Sequence, residues 1–292
     1  MSDRSLAWHQ STLELIGNCS WKYFLTYVLK IDDPSNASAL VGTNVHSAIE
    51  AYEVARMNGI TLPLADMLQL SVQDLDDTSS IMARAAVTNW YSSTLKNKDK
   101  SHRDWLAMMT PVTIEGYFNF KLVNGAMPIG GTIDGVYLTL DSRYHVVDLK
   151  TSKDMSRWKL DGEGKRLQAT MYSVAVQLEY SLDYLPAVTY TVARTNSVGE
   201  TARRVTIQPD LEDVRVLGNR IREAQRIVDT EQYTKNTSWH LCDARWCSHY
   251  QGCMVTGTLT GTTVKLKQKH TVPVTGFPSV QYTETTTLGG TQ

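Results

Sequence analysis

The sequence has no surplus of charge, no long apolar run and no internal repeat. Its 29 Lys and Arg are matched by 30 Asp and Glu, a formal net charge of −1. Global basicity does not announce a polyanionic partner, so any surface for one must be a local patch. No apolar stretch approaches the roughly 20 residues of a membrane-spanning helix, and no membrane is expected. The opening MSDRSLAWHQ lacks the apolar centre of a secretory signal. A soluble, cytoplasmic protein with reduced cysteines is the expectation. Cysteine is scarce, with four in 292 residues, yet Cys242, Cys247 and Cys253 crowd into CDARWCSHYQGC while Cys19 stands near the other end. In a reducing compartment such crowding points to a metal before disulfides. The plain alternative is a set of small buried hydrophobes.

What is present suffices for a sizeable core: 42% hydrophobic content over 292 residues fills one large domain or two small ones. Ser11 to Leu29 reads as a helix, opened by Ser and Thr with Glu14 behind them. ALVGTNVHSAIEAYEVAR sets Val45, Ile49 and Tyr52 at helical spacing, with His46 and Glu50 on the neighbouring stripe. Residues 60–109 read as a helical insertion. Strand patterns follow from Pro111: VTIEGYFNFKLV, then GTIDGVYLTL, a turn at DSR, and YHVVDLKTS. KRLQATMYSVAVQLEY is a helix with Leu167, Met171, Val174 and Leu178 as its core stripe and Gln168 and Tyr172 beside it. A second strand pair and the helix LEDVRVLGNRIREAQRIV precede the cysteines. The order predicts an α/β or α+β fold, a mixed central β-sheet flanked by helices. One domain is expected over 1–255. Residues 256–292, rich in Thr and Gly, read as a tail that packs weakly or is disordered.

The stretch YHVVDLKTSK carries the chemistry. Alternation along a strand puts Asp148 and Lys150 on one face with Val146, and Val147 and Leu149 on the other. Alone, the pair would be a surface ion pair on an edge strand. A turn near Ser142 brings Asp134 beside Asp148 and Lys150, directly or diagonally across the ladder. Two carboxylates so placed are costly unless a cation lies between them. Oxygen donors suit Mg²⁺ or Mn²⁺, and an added histidine leans toward Mn²⁺. Such an ion polarises a phosphoryl oxygen and acidifies a bound water, while a lysine orients that water or meets the growing charge.

These residues resemble the PD-(D/E)xK nuclease superfamily: GTID supplies the first acid, Asp134, and Asp148-Leu149-Lys150 the D-x-K. GTNVHSAIE is similar to the histidine motif of the RecB-type branch, which implies that His46 is a further metal ligand. QATMY resembles its Q-x-x-x-Y motif, which implies that Gln168 and Tyr172 meet the active site or the DNA backbone. One cysteine before the histidine motif and three near the end resemble the iron–sulfur members, the CRISPR-associated and AddB-type exonucleases and related viral enzymes. The resemblance runs from Ser11 to about Cys253. It implies a restriction-endonuclease-like core. It also implies a 4Fe-4S cluster on Cys19, Cys242, Cys247 and Cys253 that joins the two ends of the chain. In those members the late cysteines are usually spaced C-x2-C-x5-C; here the first interval is longer. Four thiolates also suit Zn²⁺, and His240 and His249 lie near enough in sequence to join it, although each reads as a surface residue.

The resemblance implies a divalent-metal-dependent DNA exonuclease of recombination, repair or replication. DNA is then the partner, possible company a single-strand annealing or binding protein, and the setting a host cytoplasm if the source is viral. Polarity and oligomeric state are open. An endonuclease that cuts flaps or single strands is the near alternative. A non-catalytic iron–sulfur DNA-binding module is the distant one, since a binder gains nothing from an acidic pocket facing phosphates. Lys153, Arg157, Lys159, Lys165 and Arg166 follow the D-x-K strand and are candidate phosphate contacts, with Trp158 a candidate for base stacking. Glu50 and Glu115 are candidate additions to the site.

Overall fold

Val146, Val147 and Leu149 are almost fully buried, and their strand, β3 (Tyr144–Ser152), is the middle of a five-stranded sheet of order β1-β2-β3-β4-β5. The computed structural model describes residues 7–31, 37–92, 100–158, 163–198 and 203–255. Strands β1 (Thr110–Phe120), β2 (Ile129–Leu138) and β3 form an antiparallel meander. β4 (Ala187–Arg194) pairs parallel with β3, and β5 (Arg203–Ile207) antiparallel with β4. The mixed sheet expected from the element order is present.

Both faces of β3 are covered because both carry apolar residues. Val147 and Leu149 join a cluster with Val41, Val45, Ala48 and Ile49 of α3 (Ala37–Met57). The same cluster takes in Met67 of α4 (Leu64–Leu70), Val87 and Trp90 of α5 (Asp77–Ser92) and Leu106 of α6 (His102–Leu106). The 60–109 segment is therefore a wall of the core. Val146 joins Ala169, Tyr172, Ala175 and Val176 of α7 (Glu163–Glu179) on the other side. Leu167, Met171 and Val174 of α7 are buried as expected, but Leu178 is 55% exposed. The stripe turned to the sheet cluster is Ala169–Tyr172–Val176, and Leu178 lies about 200° round the helix from Val176.

The contacts divide the chain into two compact units. The sheet and its helices make up one, residues 35–120 and 129–217; the other takes 1–34, 121–128 and 218–292. In the second body α1 (Gln10–Asn18) ends at Cys19, which is extended at φ −153° and ψ 93°, before α2 (Ser20–Tyr23) and a π-helical turn, Phe24–Val28. The single helix expected over 11–29 is thus broken, just after Gly17 and Asn18, both poor helix formers. Ser20 Oγ accepts from the Thr234 backbone N–H at 2.8 Å, and Asn236 Nδ2 donates to the Asn18 carbonyl at 2.8 Å. Phe24 stacks on Tyr233 with ring centres 4.7 Å apart. Helix α8 (Leu211–Thr230) enters this body at Gly218. The expected tail, 256–292, lies outside the described residues.

Candidate active site

The β2–β3 pairs run through Gly135↔Val147 and Val136↔Val146, a register whose next step sets Asp134 against Asp148. Asp134 thus lies beside Asp148, as the turn near Ser142 leads one to expect. The chain turns with the Thr139 N–H on the Arg143 carbonyl and Ser142 at φ +58°. Asp134 Oδ2 accepts from the Leu149 backbone N–H at 2.7 Å and stands 3.3 Å from His46 Nδ1. His46 comes from α3, where Val45 and Ile49 anchor the helix in the core and turn the adjacent stripe to the sheet.

Glu115 completes the group. Its neighbours pair as Ile114↔Gly135 and Gly116↔Ile133, so it flanks Asp134 across the ladder. Glu115 has φ +51° within a strand, a left-handed conformation costly for a side-chain-bearing residue and often kept at functional sites. One ligand atom each from His46, Glu115 and Asp134 fall within 4.8 Å of one another. Two carboxylate oxygens and an imidazole nitrogen make a donor set fit for Mg²⁺ or, better, Mn²⁺.

The electrostatics point the same way. Burial raises the Asp134 carboxyl above its ordinary range, with Lys150 opposing. Glu115 is pushed up to about 7 by burial, then by Asp134, Glu50 and Asp148. Asp148, 1% exposed, is pushed up to about 6 by burial, which outweighs the pull of Lys150. Burial lowers the His46 imidazole below its usual value, so it is held neutral with a lone pair to give. Like charges held together and short of solvent are the condition a divalent cation relieves.

Asp148 pairs with Lys150, whose Nζ lies 2.6 Å from Oδ2. Asp148 is outside the compact trio, and Glu115 occupies the third position there. Gln168 Nε2 donates to Tyr172 Oη at 2.8 Å on the sheet-facing side of α7. Burial, then the charges of Asp148 and Asp134, raise the Tyr172 phenol, so it stays protonated. Glu50 lines the cavity of about 350 Å³ that the trio also lines, together with Trp90, Leu106 and Val147. The sequence reading passed over Glu53 and Tyr137, which line it as well; the signal for Glu53 was its place three residues past Glu50 on the His46 stripe.

The candidate DNA contacts fare differently. Lys153 is exposed. Lys159 and the side chain of Arg157 lie outside the described residues. Arg166 donates to both oxygens of Asp213, at 2.9 and 2.5 Å, which occupies the fork a phosphate would use. Trp158 packs on the sheet cluster with Tyr190 at 5.8 Å, and Lys165 Nζ lies 4.1 Å over its ring, so that face is covered.

In the second body Cys19, Cys242, Cys247 and Cys253 all line one cavity of about 370 Å³, with Trp21 and His249. Burial raises the thiols of Cys247 and Cys253, and Lys22 and Lys235 oppose it. His240 is exposed, as expected. His249 is not at the surface: it is 7% exposed, with Nε2 3.3 Å from Thr26 Oγ1. Among the described residues no helix is long and apolar enough to cross a membrane.

A family model described as the PD-(D/E)XK nuclease superfamily matches residues 7–254. Among solved structures, a presumed exonuclease from Eubacterium rectale aligns over 82% of this chain and 87% of its own, at 12% identity and a TM-score of 0.52. That likeness concerns the fold. The solved structure of SSO0001 aligns over 86% of this chain and 97% of its own at 14% identity, with a TM-score of 0.35, too low to weigh. No curated protein matches the sequence.

Proposed function

The chain belongs to the PD-(D/E)XK nuclease superfamily, and from that premise we propose that it is a divalent-metal-dependent DNA exonuclease acting in recombination, repair or replication. The observation that carries the reading is the compact His46–Glu115–Asp134 group beside the Asp148–Lys150 pair. A bound Mg²⁺ or Mn²⁺ would polarise a phosphoryl oxygen and acidify a water. His46, Glu115 and Asp134 would hold the ion, with Asp148 as the nearby carboxylate. Asp148 also fixes Lys150, whose side chain is 28% exposed and whose ammonium orients the attacking water or meets charge on the phosphate. Tyr172, kept a neutral phenol and braced by Gln168, has an O–H to give to a phosphate oxygen. Lys153 and, from sequence alone, Arg157 and Lys159 are the cations proposed for the DNA backbone.

The test uses end-labelled linear duplex and closed circular DNA, with Mn²⁺ and with chelator. The expected result is metal-dependent shortening of the linear DNA and an intact circle. A nicked or opened circle would make the enzyme an endonuclease. Retention of both DNAs with no cleavage would leave a binding module.

A 4Fe-4S cluster on the four cysteines is the second part of the proposal. Its support is their meeting at one cavity from opposite ends of the chain. Four thiolates also suit one zinc, the alternative occupant of the same site. Protein purified without oxygen should be brown and carry iron; colourless protein with about one zinc would reverse the assignment.

A further inference from the structure

We propose that Glu53, Arg56 and Tyr137 form a buried node that positions the cation site, setting the spacing of the ligand atoms of His46, Glu115 and Asp134. The inference rests on the metal-dependent reading above and adds three residues to it, none of which touches the ion.

The node ties together the three elements that carry the three ligands. Glu53 lies on α3, two helical turns beyond His46. Its Oε2 accepts from Arg56 Nε at 3.0 Å and Nη2 at 2.5 Å, and from Tyr137 Oη at 3.2 Å. Tyr137 lies on β2, three residues past Asp134. Arg56 Nη1 donates to the Met109 carbonyl at 2.9 Å, and Met109 directly precedes β1, the strand of Glu115. A single carboxylate oxygen and one guanidinium thus connect α3, β2 and the start of β1.

Gly135 makes the reach possible. A Cβ there would stand 2.5 Å from Tyr137 Cε2 and 2.8 Å from its Oη, so the tyrosine ring lies across the glycine that follows Asp134. Any larger residue would lift the ring away from Glu53.

Stability alone does not account for the arrangement. Glu53 is 2% and Tyr137 3% exposed. Burying an ion pair is often neutral or unfavourable beside an apolar replacement. Glu53 Oε1 also has no hydrogen-bond partner among the described residues, a further cost. What the node supplies is fixed geometry. The pair is neutral overall, so it neither draws the cation from the trio nor repels it. Mg²⁺ requires near-ideal octahedral geometry, so a loosened trio should lose Mg²⁺ before Mn²⁺.

The experiment measures Mn²⁺ binding by electron paramagnetic resonance of the free ion, then Mg²⁺ competition, on the full chain. Tyr137→Phe, which removes one oxygen and its bond to Glu53, should weaken Mn²⁺ about tenfold, as loss of an outer-shell support does at the low end, and Mg²⁺ by more. Gly135→Ala should act in the same direction. Val205→Ala, a cavity in the other core cluster, should lower the melting temperature and keep the Mn²⁺ affinity. Wild-type affinities in Tyr137→Phe and Gly135→Ala, or an equal loss in Val205→Ala, would overturn the positioning role. Binding that His46→Ala leaves untouched would instead overturn the cation site itself, and the node's role with it.

Discussion

Asp148 has 1% of its surface in solvent and a lysine as its nearest cation. In the metal-free protein its carboxyl is raised to about 6 and that of Glu115 to about 7, against about 4 in an unfolded chain. A folded pKa above the unfolded one means that the fold binds these protons more tightly. The ionised groups therefore weaken the metal-free fold above pH 7, and the loss is recovered as pH falls from 7 toward 4. A cation takes the protons' place. The rise in melting temperature on adding Mn²⁺ should thus grow from pH 5.5, where it must displace both protons, to pH 7.5. Differential scanning fluorimetry would read it, and a gain equal at both pH values would contradict the account. Asp134, Asp148 and Lys150 were legible because charge inside an apolar strand is rare enough to need a reason. The part of Glu115 in a compact trio was not, since it depends on a backbone at φ +51° that no residue-type pattern announces.

Helix α5 and strand β4 are joined by a fully buried asparagine. Asn89 donates to the Arg194 carbonyl at 2.8 Å and the Ser197 carbonyl at 2.6 Å, where β4 ends. Asn89→Ala would remove both hydrogen bonds and should cost about 2–4 kcal/mol in denaturant unfolding, with cleavage per folded molecule retained. A cost below about 0.5 kcal/mol, the range of an ordinary surface change, would show that the tie is unimportant. Strands and long helices were readable from period alone, because Val45–Ile49 on α3 and Val146 to Leu149 on β3 repeat at 3.6 and 2. The 60–109 helices read as an insertion because the contacts that make Trp90 and Leu106 part of the core are with residues far along the chain. The break at Cys19 had a local sign in Gly17-Asn18 that a helical period over 11–29 outweighed.

At the scale of the molecule Cys19 and the distant 242–253 segment meet at one cavity. Closing so long a loop would restrict the unfolded ensemble, so if the proposed cluster is there, Cys19→Ser should remove its iron and lower the melting temperature together. Loss of metal with no change in melting temperature would rule out the structural role. DNA affinity should fall steeply with salt despite the net charge of −1, because contacts to a backbone are local. Arg157→Ala with Lys159→Ala should flatten the log–log slope by roughly two if both meet phosphates; an unchanged slope would put the DNA path elsewhere. The central claim is that Asp148 and Lys150 stand together for chemistry on a phosphodiester. It is tested most directly by single-turnover cleavage of a labelled linear duplex at saturating Mn²⁺, wild type against Lys150→Ala. Lys150→Ala should lose about 10²–10⁴-fold with Mn²⁺ binding largely kept; cleavage near the wild-type rate would mean that Lys150 takes no part in the chemistry.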